Sequence, residues 1–355
     1  MNENRSRRRQ SGRPTVSDVA RLAGCSQMTV SRVINGGTGV REETRLAVEA
    51  AIREIGYAPN PAARSLAGAT QLRIALLHAN PSSAYLSELL IGCLDAAGRL
   101  DAHLVVERHD PGHGRKRLVA DMAAGLADGL LLPPPLCDDA ALLADLAAEG
   151  IAAMLIGPGE APVINGARHG AVMIDDRAAA REMTRHLIAL GHRRIGFIIG
   201  NPAQSASALR LAGFRDAMAD AGLAIDDALV RQGQFTYRSG LDAAMDMLAA
   251  TPRPTAIFAS NDDMAAGCIA AAHRNRLDLP RDLSVCGFDD TPLASTIWPE
   301  LTTIRQPIRA MADAAFERLA QQIRAARQHE PRAADQVLLD HTLIRRQSDA
   351  PPAES

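Results

Sequence analysis

Residues 15–37 read TVSDVARLAGCSQMTVSRVINGG. Val16, Val19, Ala20 and Ala23 fall at i, i+3, i+4 and i+7, the spacing of one helical face. Gly24 permits a tight turn. Ser26 is placed to cap a second helix, in which Val30, Val33 and Ile34 share the inward face. Gln27, Met28, Ser31 and Arg32 are left on the outward face. This is the spacing of a helix-turn-helix, whose second helix offers such side chains to base edges. Periodicity alone fits a plain amphipathic helical hairpin equally well. A third helix is predicted from about Glu42 to Ile55, closed by Gly56.

The charge around this segment is lopsided. Residues 1–68 hold 11 Arg against 6 Asp and Glu, a net +5. The other residues hold 28 basic and 35 acidic side chains, a net −7. A basic head on an acidic body points to a nucleic-acid-binding module. A solvated basic tail is the plainer reading. Of the basic residues 38 are Arg and only Lys116 is Lys, which reads as genome composition rather than function.

The 355 residues suggest two or three domains, one of them small. With 47% apolar and 23% charged residues, the chain is neither disordered, collagen-like nor a disulfide mini-protein. No apolar run reaches the roughly 18 residues of a membrane span, so no membrane partner is expected. The basic start MNENRSRRRQSGRP lacks the apolar segment of a secretory signal. Cys25, Cys93, Cys137, Cys268 and Cys286 are scattered, with no CxxC pair. They read as reduced thiols of a cytoplasmic protein, with no zinc site.

Residues 1–14 are expected to be a disordered basic tail, 15–59 the helix-turn-helix domain and 60–70 a short helical linker. From Leu72 strand-length apolar runs alternate with Ala/Leu-rich helical stretches. The runs are 73–79, 103–108, 128–134, 152–157, 171–175, 194–200, 228–235, 256–260, 283–290 and 336–346. Such alternation predicts parallel sheets flanked by helices, and the length suits two of them. Ligands in such folds sit beyond the carboxyl ends of the strands. The tail 347–355 is expected to be disordered.

DVARLAGCSQMTVSRVINGG, followed by VREETRLAVEAAIREIGYAPNPAARSLAG, strongly resembles the LacI/GalR family of bacterial repressors. So do GHRRIGFIIG, RLAGF, SNDDMAAG, SVCGFDD and PELTTIRQP, in the same order and spacing over about residues 15–346. The resemblance implies an all-α DNA-binding head and a hinge helix. The α/β core over 71–346 is then periplasmic-binding-protein-like, with two parallel-sheet lobes and crossovers near 170, 302 and 333. It also implies a cytoplasmic, nucleoid-associated repressor of carbohydrate or sugar-acid genes. Its partners are an operator in double-stranded DNA, a second copy of the chain, and an effector that is a sugar, sugar acid or phosphorylated sugar. No cofactor, metal or catalytic residue is implied.

On this reading Arg32 pairs bidentately with guanine, Gln27 reads adenine or bridges through water, and Met28 meets a thymine methyl. Thr15, Ser26, Thr29, Ser31, Asn35, Thr44 and Tyr57 match the family's phosphate contacts. Capping is the alternative for Ser26, and plain solvation for Thr29 and Ser31. In the linker Asn60 caps, Pro61 fits the first turn and Gly68 ends a helix of about seven residues. So short a helix forms only against its dimer mate and DNA. Leu66 matches a leucine that wedges into the central minor-groove step, and Ala63 fits the close approach. Packing of Leu66 on the core is the alternative.

For the effector, Arg210 matches the family arginine that meets ligand oxygens and Asp289 its hydroxyl-accepting acid. Asn261 is a further donor and acceptor, and Phe235 falls at an aromatic wall. Ser207, or Ser205 just before it, adds a hydroxyl. Surface pairing of Arg210, capping by Asp289 and a core role for Phe235 are the alternatives. Trp298 fits a cleft mouth or a core. The family's Asn-Pro-aromatic-aromatic segment falls on Ser83–Leu86, where only Tyr85 is aromatic, while an Asn-Pro pair stands earlier at 80–81. Met28 resembles gluconate-type members, a faint hint of a sugar-acid ligand.

Paired acids at 175–176, 262–263 and 289–290 could bind a metal or do acid–base work. Adjacent acids usually point apart, and each pair lies inside a motif of non-enzymatic proteins. His109 and His113 are four apart, but Pro111-Gly112 breaks the helix that would align them. A cytoplasmic sugar-binding protein or a sugar-processing enzyme is the disfavoured alternative.

Overall fold

A computed structural model describes residues 15–34, 40–55, 71–109, 114–123, 125–159, 163–164, 167–330 and 335–353. The chain divides into two compact units between Gln71 and Leu72. Among the described residues no helix is long and apolar enough to cross a membrane.

The first unit contains α1 (Val16–Leu22), α2 (Gln27–Ile34) and α3 (Glu42–Ile55). Thr15 and Asp18 form a reciprocal capping box at the start of α1, which satisfies two otherwise orphaned N–H groups. Gly24 turns the chain with φ +62°, a conformation that costs glycine little. Val19, Ala20, Val30, Val33, Val48 and Ala51 make the core. These are the inward positions that the 3.6-residue period picks out in α1 and α2.

The second unit has two lobes. The first lobe's sheet holds β1 (Arg73–His78), β2 (His103–Arg108), β3 (Gly129–Leu132), β4 (Ala153–Ile156), β7 (Gly170–Met173) and β13 (Gln336–Leu338). Its order is β13-β7-β4-β3-β1-β2, parallel throughout. The two-residue strands β5 (Val163–Ile164) and β6 (Ala167–Arg168) pair separately. The second sheet holds β8 (Ile195–Ile199), β9 (Val230–Gln232), β10 (Ala256–Ala259), β11 (Ser284–Asp289), β12 (Thr302–Arg305) and β14 (Thr342–Ile344). Its order is β14-β12-β11-β10-β8-β9, with only β14 antiparallel. The helices are α4 (Ser83–Arg99), α5 (Arg115–Ala123), α6 (Ala140–Ala148), α7 (Asp176–Ala189), α8 (Ser205–Asp220), α9 (Tyr237–Leu248), α10 (Asp262–Arg274), α11 (Leu293–Thr296) and α12 (Ile308–Arg327). Strands β3, β4, β10 and β11 are buried along their whole length, and β3, β4 and β10 accordingly read as unbroken apolar runs. One apolar cluster runs through both lobes, from Ile74 and Leu131 through Met311 and Phe316 to Phe197 and Phe258.

The chain passes between lobes at 174–175, 306–307 and 339–341, each a few residues beyond the expected point. Three local expectations are corrected. The run 336–346 is two short strands, one in each sheet. The run 228–235 is a strand only at Val230–Gln232, between a 3-10 turn at Asp227–Leu229 and the turn of the chain at Phe235, φ 59°. Thr302–Arg305, absent from the predicted runs, is a strand buried at its first three residues. Its threonine hydroxyls are satisfied internally, Thr303 Oγ1 donating to Asp262 Oδ1 at 2.7 Å.

The segment after Arg346, expected to be a disordered tail, is fastened to the second lobe through Ala350. Ser348 is wholly buried. Its Oγ accepts from the Thr302 N–H at 2.8 Å and donates to the Val285 carbonyl at 2.5 Å. His186 Nε2 donates to Asp349 Oδ2 at 2.7 Å, and His192 Nε2 to the Ala350 carbonyl at 2.9 Å. The polar composition suggested disorder because these partners lie far away in sequence.

Candidate functional site

Between the lobes of the second unit a cleft opens at the carboxyl ends of both sheets, where ligands of parallel α/β folds bind. The first lobe lines it with Ser82 and Tyr85 at the head of α4, Pro134 beyond β3 and Gly157 beyond β4. The second lobe brings Gln204, Ala206 and Arg210 from the start of α8, Phe235 beyond β9, Asn261 before α10 and Asp289 at the end of β11. Asp176 and Gln306 stand at two of the crossovers.

Arg210 is buried at the centre. Its Nε donates to Asp176 Oδ1 at 2.8 Å and its Nη1 to the Ser260 carbonyl at 2.5 Å. Asp289 Oδ1 lies 3.7 Å from Nη1. The guanidinium carbon sits 3.6 Å from the centroid of the Phe288 ring, so one face is covered. Asp289 is held at φ 111°, a strained conformation for a non-glycine residue and typical of functional sites. Its Oδ1 accepts from Gln306 Nε2 at 2.6 Å. Burial pushes the Asp289 carboxyl up to about 7, against the opposing pull of Arg210 and Gln306.

Beneath it, Asp262 accepts from Thr303 Oγ1 and from the N–H and hydroxyl of Thr291. Burial and then the charge of Asp289 push its carboxyl well up. Asn261 caps α10 by accepting from the Met264 N–H at 3.0 Å and donates to the Phe235 carbonyl at 3.2 Å. The Phe235 ring lies across Gly200, where any Cβ would collide with it. Tyr85 is buried, and burial holds its phenol protonated far up the pH scale.

Tyr85, Arg210, Phe235, Asn261 and Asp289 therefore meet in one cleft. Ser207 does not line it. Its hydroxyl turns away and donates to the Asn201 carbonyl at 2.6 Å. The helical period sends Ala206 and Arg210, four apart, to the cleft face instead. Trp298 is 73% exposed, neither core nor cleft. Asp176, Gln306, Gln204 and Ser82 are lining residues that sequence reasoning missed. Asp176 was visible only as half of an acidic pair, and Gln306 only within PELTTIRQP.

In the first unit Gln27, Met28 and Arg32 are exposed along α2, Met28 at 67%. The Gln27 amide donates to Ser17 Oγ on α1 at 3.0 Å, which fixes its direction. Ser26 Oγ accepts from the Thr29 N–H at 3.1 Å, a helix cap, and pairs with the Thr29 hydroxyl. Thr15 caps α1. Ser31 and Thr44 are half-buried. Asn35, Tyr57, Ala63 and Leu66 lie outside the described residues.

A three-helix head whose second helix exposes one face, joined to a two-lobed body with a polar cleft, defines a class of ligand-responsive DNA-binding protein. Residues 15–60 match the bacterial regulatory proteins of the lacI family, and residues 184–348 match the periplasmic binding protein-like domain. The chain is 33% identical to the HTH-type transcriptional regulator DegA of Bacillus subtilis (strain 168), over 95% of this chain and 98% of the relative. It is 32% identical to the HTH-type transcriptional regulator GalR of Escherichia coli (strain K12), over 96% of each. Among solved structures, a lac repressor dimer bound to operator and the anti-inducer ONPF superimposes with TM-score 0.76 at 30% identity. That match covers 95% of this chain and 99% of the other. A complex of the transcriptional regulator CelR with cellobiose gives 0.71 at 31%, covering 95% and 100%. The chain belongs to the lacI family of bacterial regulatory proteins. It is a DNA-binding transcriptional regulator and not an enzyme.

Proposed function

We propose that the protein is a cytoplasmic, nucleoid-associated repressor of carbohydrate genes that binds a pseudo-palindromic operator as a dimer. The single observation behind this reading is the convergence of Arg210, Asp176, Asp289, Asn261, Tyr85 and Phe235 on one interlobe cleft. Charged and amide groups there match the hydroxyls of a sugar, and the aromatic rings match its C–H faces. The cellobiose complex of the relative CelR supports a sugar in this position.

At the other end, Arg32 offers guanine a bidentate fork, Met28 offers thymine an apolar contact, and Gln27 reads adenine directly or through water. Thr15, Ser26, Thr29, Ser31 and Thr44 position the head on phosphates. The hinge, with Ala63 and Leu66 in the minor groove, couples the two ends. A ligand that changes how the two protomers stand changes how well the hinge forms on DNA, and the coupling is reciprocal.

The test is capture of fragmented genomic DNA by the purified protein, read by sequencing, with Arg32→Ala as control. Enrichment of a palindrome by the wild type alone supports the reading. Equal enrichment by both proteins rejects the proposed docking. The genes beside the captured site nominate the effector.

A further inference from the structure

Gln27 is the first residue of α2, at the end from which a recognition helix reaches base edges. A glutamine in that place is ordinarily a loose reader, since its side chain has several rotatable bonds and fixing them on DNA costs entropy. In this head the amide is tethered. Gln27 Nε2 donates to Ser17 Oγ at 3.0 Å, across ten positions of sequence. Ser17 lies on α1, and the crossing of α1 and α2 is set by their shared core of Val19, Ala20, Val30 and Val33. Both ends of the bond therefore stand on backbone that the core fixes.

Neighbouring polar groups do not compete for the amide. Asp18 is taken by Thr15 and Arg21, and the Ser26 hydroxyl pairs with that of Thr29. Ser17 and Gln27 are exposed in the free head, where water weakens their bond. A groove that closes over α2 expels that water and strengthens it. The amide's own inventory says which base suits it. A glutamine amide carries two N–H groups and one carbonyl oxygen. The bond to Ser17 uses one N–H and leaves the oxygen and one N–H. In the major groove adenine presents one donor and one acceptor, which take that pair bidentately. Guanine presents two acceptors, so the amide oxygen would face an acceptor.

We infer that Ser17 is a specificity-determining residue of the head, a positioning residue that holds the Gln27 amide as a fixed fork for adenine without itself reading a base. This rests on the reading above in which Gln27 meets a base edge, and it narrows that contact to the direct one.

The test is selection of preferred sites by the full-length protein from a randomised DNA library, read by sequencing, for the wild type, Gln27→Ala, Ser17→Ala and Ser17→Thr. Gln27→Ala should lose an adenine preference at one position of each half-site. Ser17→Ala should weaken the preference at that same position about threefold or more, the scale of one side chain ordered on binding. Other positions should keep their preferences, and Ser17→Thr, which retains the hydroxyl, should restore this one. On the selected site, the double variant Ser17→Ala/Gln27→Ala should bind no worse than Gln27→Ala alone. If Gln27→Ala changes one position and Ser17→Ala changes none, the base contact stands and the positioning role falls. A loss in Ser17→Ala spread evenly over all sequences also overturns the role, marking a phosphate contact or plain stability instead. A base other than adenine at the position that Gln27→Ala changes overturns the fork. No change at any position in Gln27→Ala removes the Gln27 contact and the inference with it.

Discussion

The hydroxyl of Ser82, at the head of α4 in the first lobe, donates to Asp263 Oδ2 of α10 in the second lobe at 2.5 Å. A second tie crosses from the Ser205 N–H to Asp138 Oδ2 at 2.9 Å, and a third from the Gly159 N–H to Ser205 Oγ at 2.7 Å. Three short polar ties thus hold the lobes closed around the cleft. Burial pushes the Asp263 and Asp138 carboxyls up, so the ties are made by partly desolvated acids. Ser82→Ala leaves Asp263 with one fewer donor only in the closed form. A hydrogen bond to a charged group contributes about 1.5–3 kcal/mol, so ligand affinity should fall about tenfold or more. Calorimetric titration of the responding ligand checks this, and an unchanged Kd rules out a closing role for the tie.

Asp289 makes stability pH-dependent. Its folded carboxyl, pushed up mainly by burial, titrates near 7, against 3.8 as the ordinary value. Between those pH values the folded state holds more protons than the unfolded one, so stability falls as pH rises through that window. Above it the full cost of a buried charge is present. Asp289→Asn should raise the melting temperature at pH 8 and flatten its decline between pH 5 and 8. Each kcal/mol relieved corresponds to about 2–4 °C. A parallel pair of melting-temperature profiles would show that this carboxyl does not drive the slope.

Much of this was legible from periodicity and residue type. The first two helices of the head follow from Val19 and Ala20 in α1 and Val30 and Val33 in α2 falling at helical spacing, because these are among the apolar residues that its small core buries. The buried strands follow from runs such as 129–132 and 256–259. The cleft was legible in part. Arg210 and Asp289 stood inside recognisable motifs, but the partners that orient them are 34 and 17 positions away in sequence. No local pattern ties Gln306 to Asp289 or Asp176 to Arg210. Ser207 was misread because the helix start decides which of two adjacent residues faces the cleft.

The segment after Arg346 should prove part of the second lobe's core. Ser348→Ala removes the acceptor of the buried Thr302 N–H and the donor to the Val285 carbonyl. Leaving such groups unsatisfied costs about 1–3 kcal/mol each. The variant is expected to unfold at lower urea with an unchanged m-value. Truncation after Arg346 should be worse, since His186 also loses Asp349 and His192 loses the Ala350 carbonyl. A truncated protein as stable as the full chain would mean the segment only decorates the surface.

Arg32→Ala tests the head independently of the cleft. Losing a bidentate base contact costs about 1–3 kcal/mol of discrimination at its base pair. Phosphate contacts remain, so binding to random DNA should persist with log affinity falling by about 0.9 per phosphate neutralised for each unit of log salt. Salt titrations on operator and scrambled DNA read the two effects separately. Retained discrimination would place base reading on another residue.

Arg210→Ala is the sharpest probe of the cleft. It leaves Asp176 and Asp289 facing each other without their shared cation, and breaking a buried pair from one side typically costs about 3–5 kcal/mol. The core should therefore melt earlier, most clearly at high pH, where Asp289 is ionised. Operator binding below that temperature should survive, because the head has a core of its own. The ligand response should vanish. Arg210→Lys keeps the charge but not the fork that meets Asp176 and the Ser260 carbonyl together. It should recover melting temperature more than ligand response. If Arg210→Lys restored both equally, charge alone would suffice, and the oriented guanidinium would have no part in recognition.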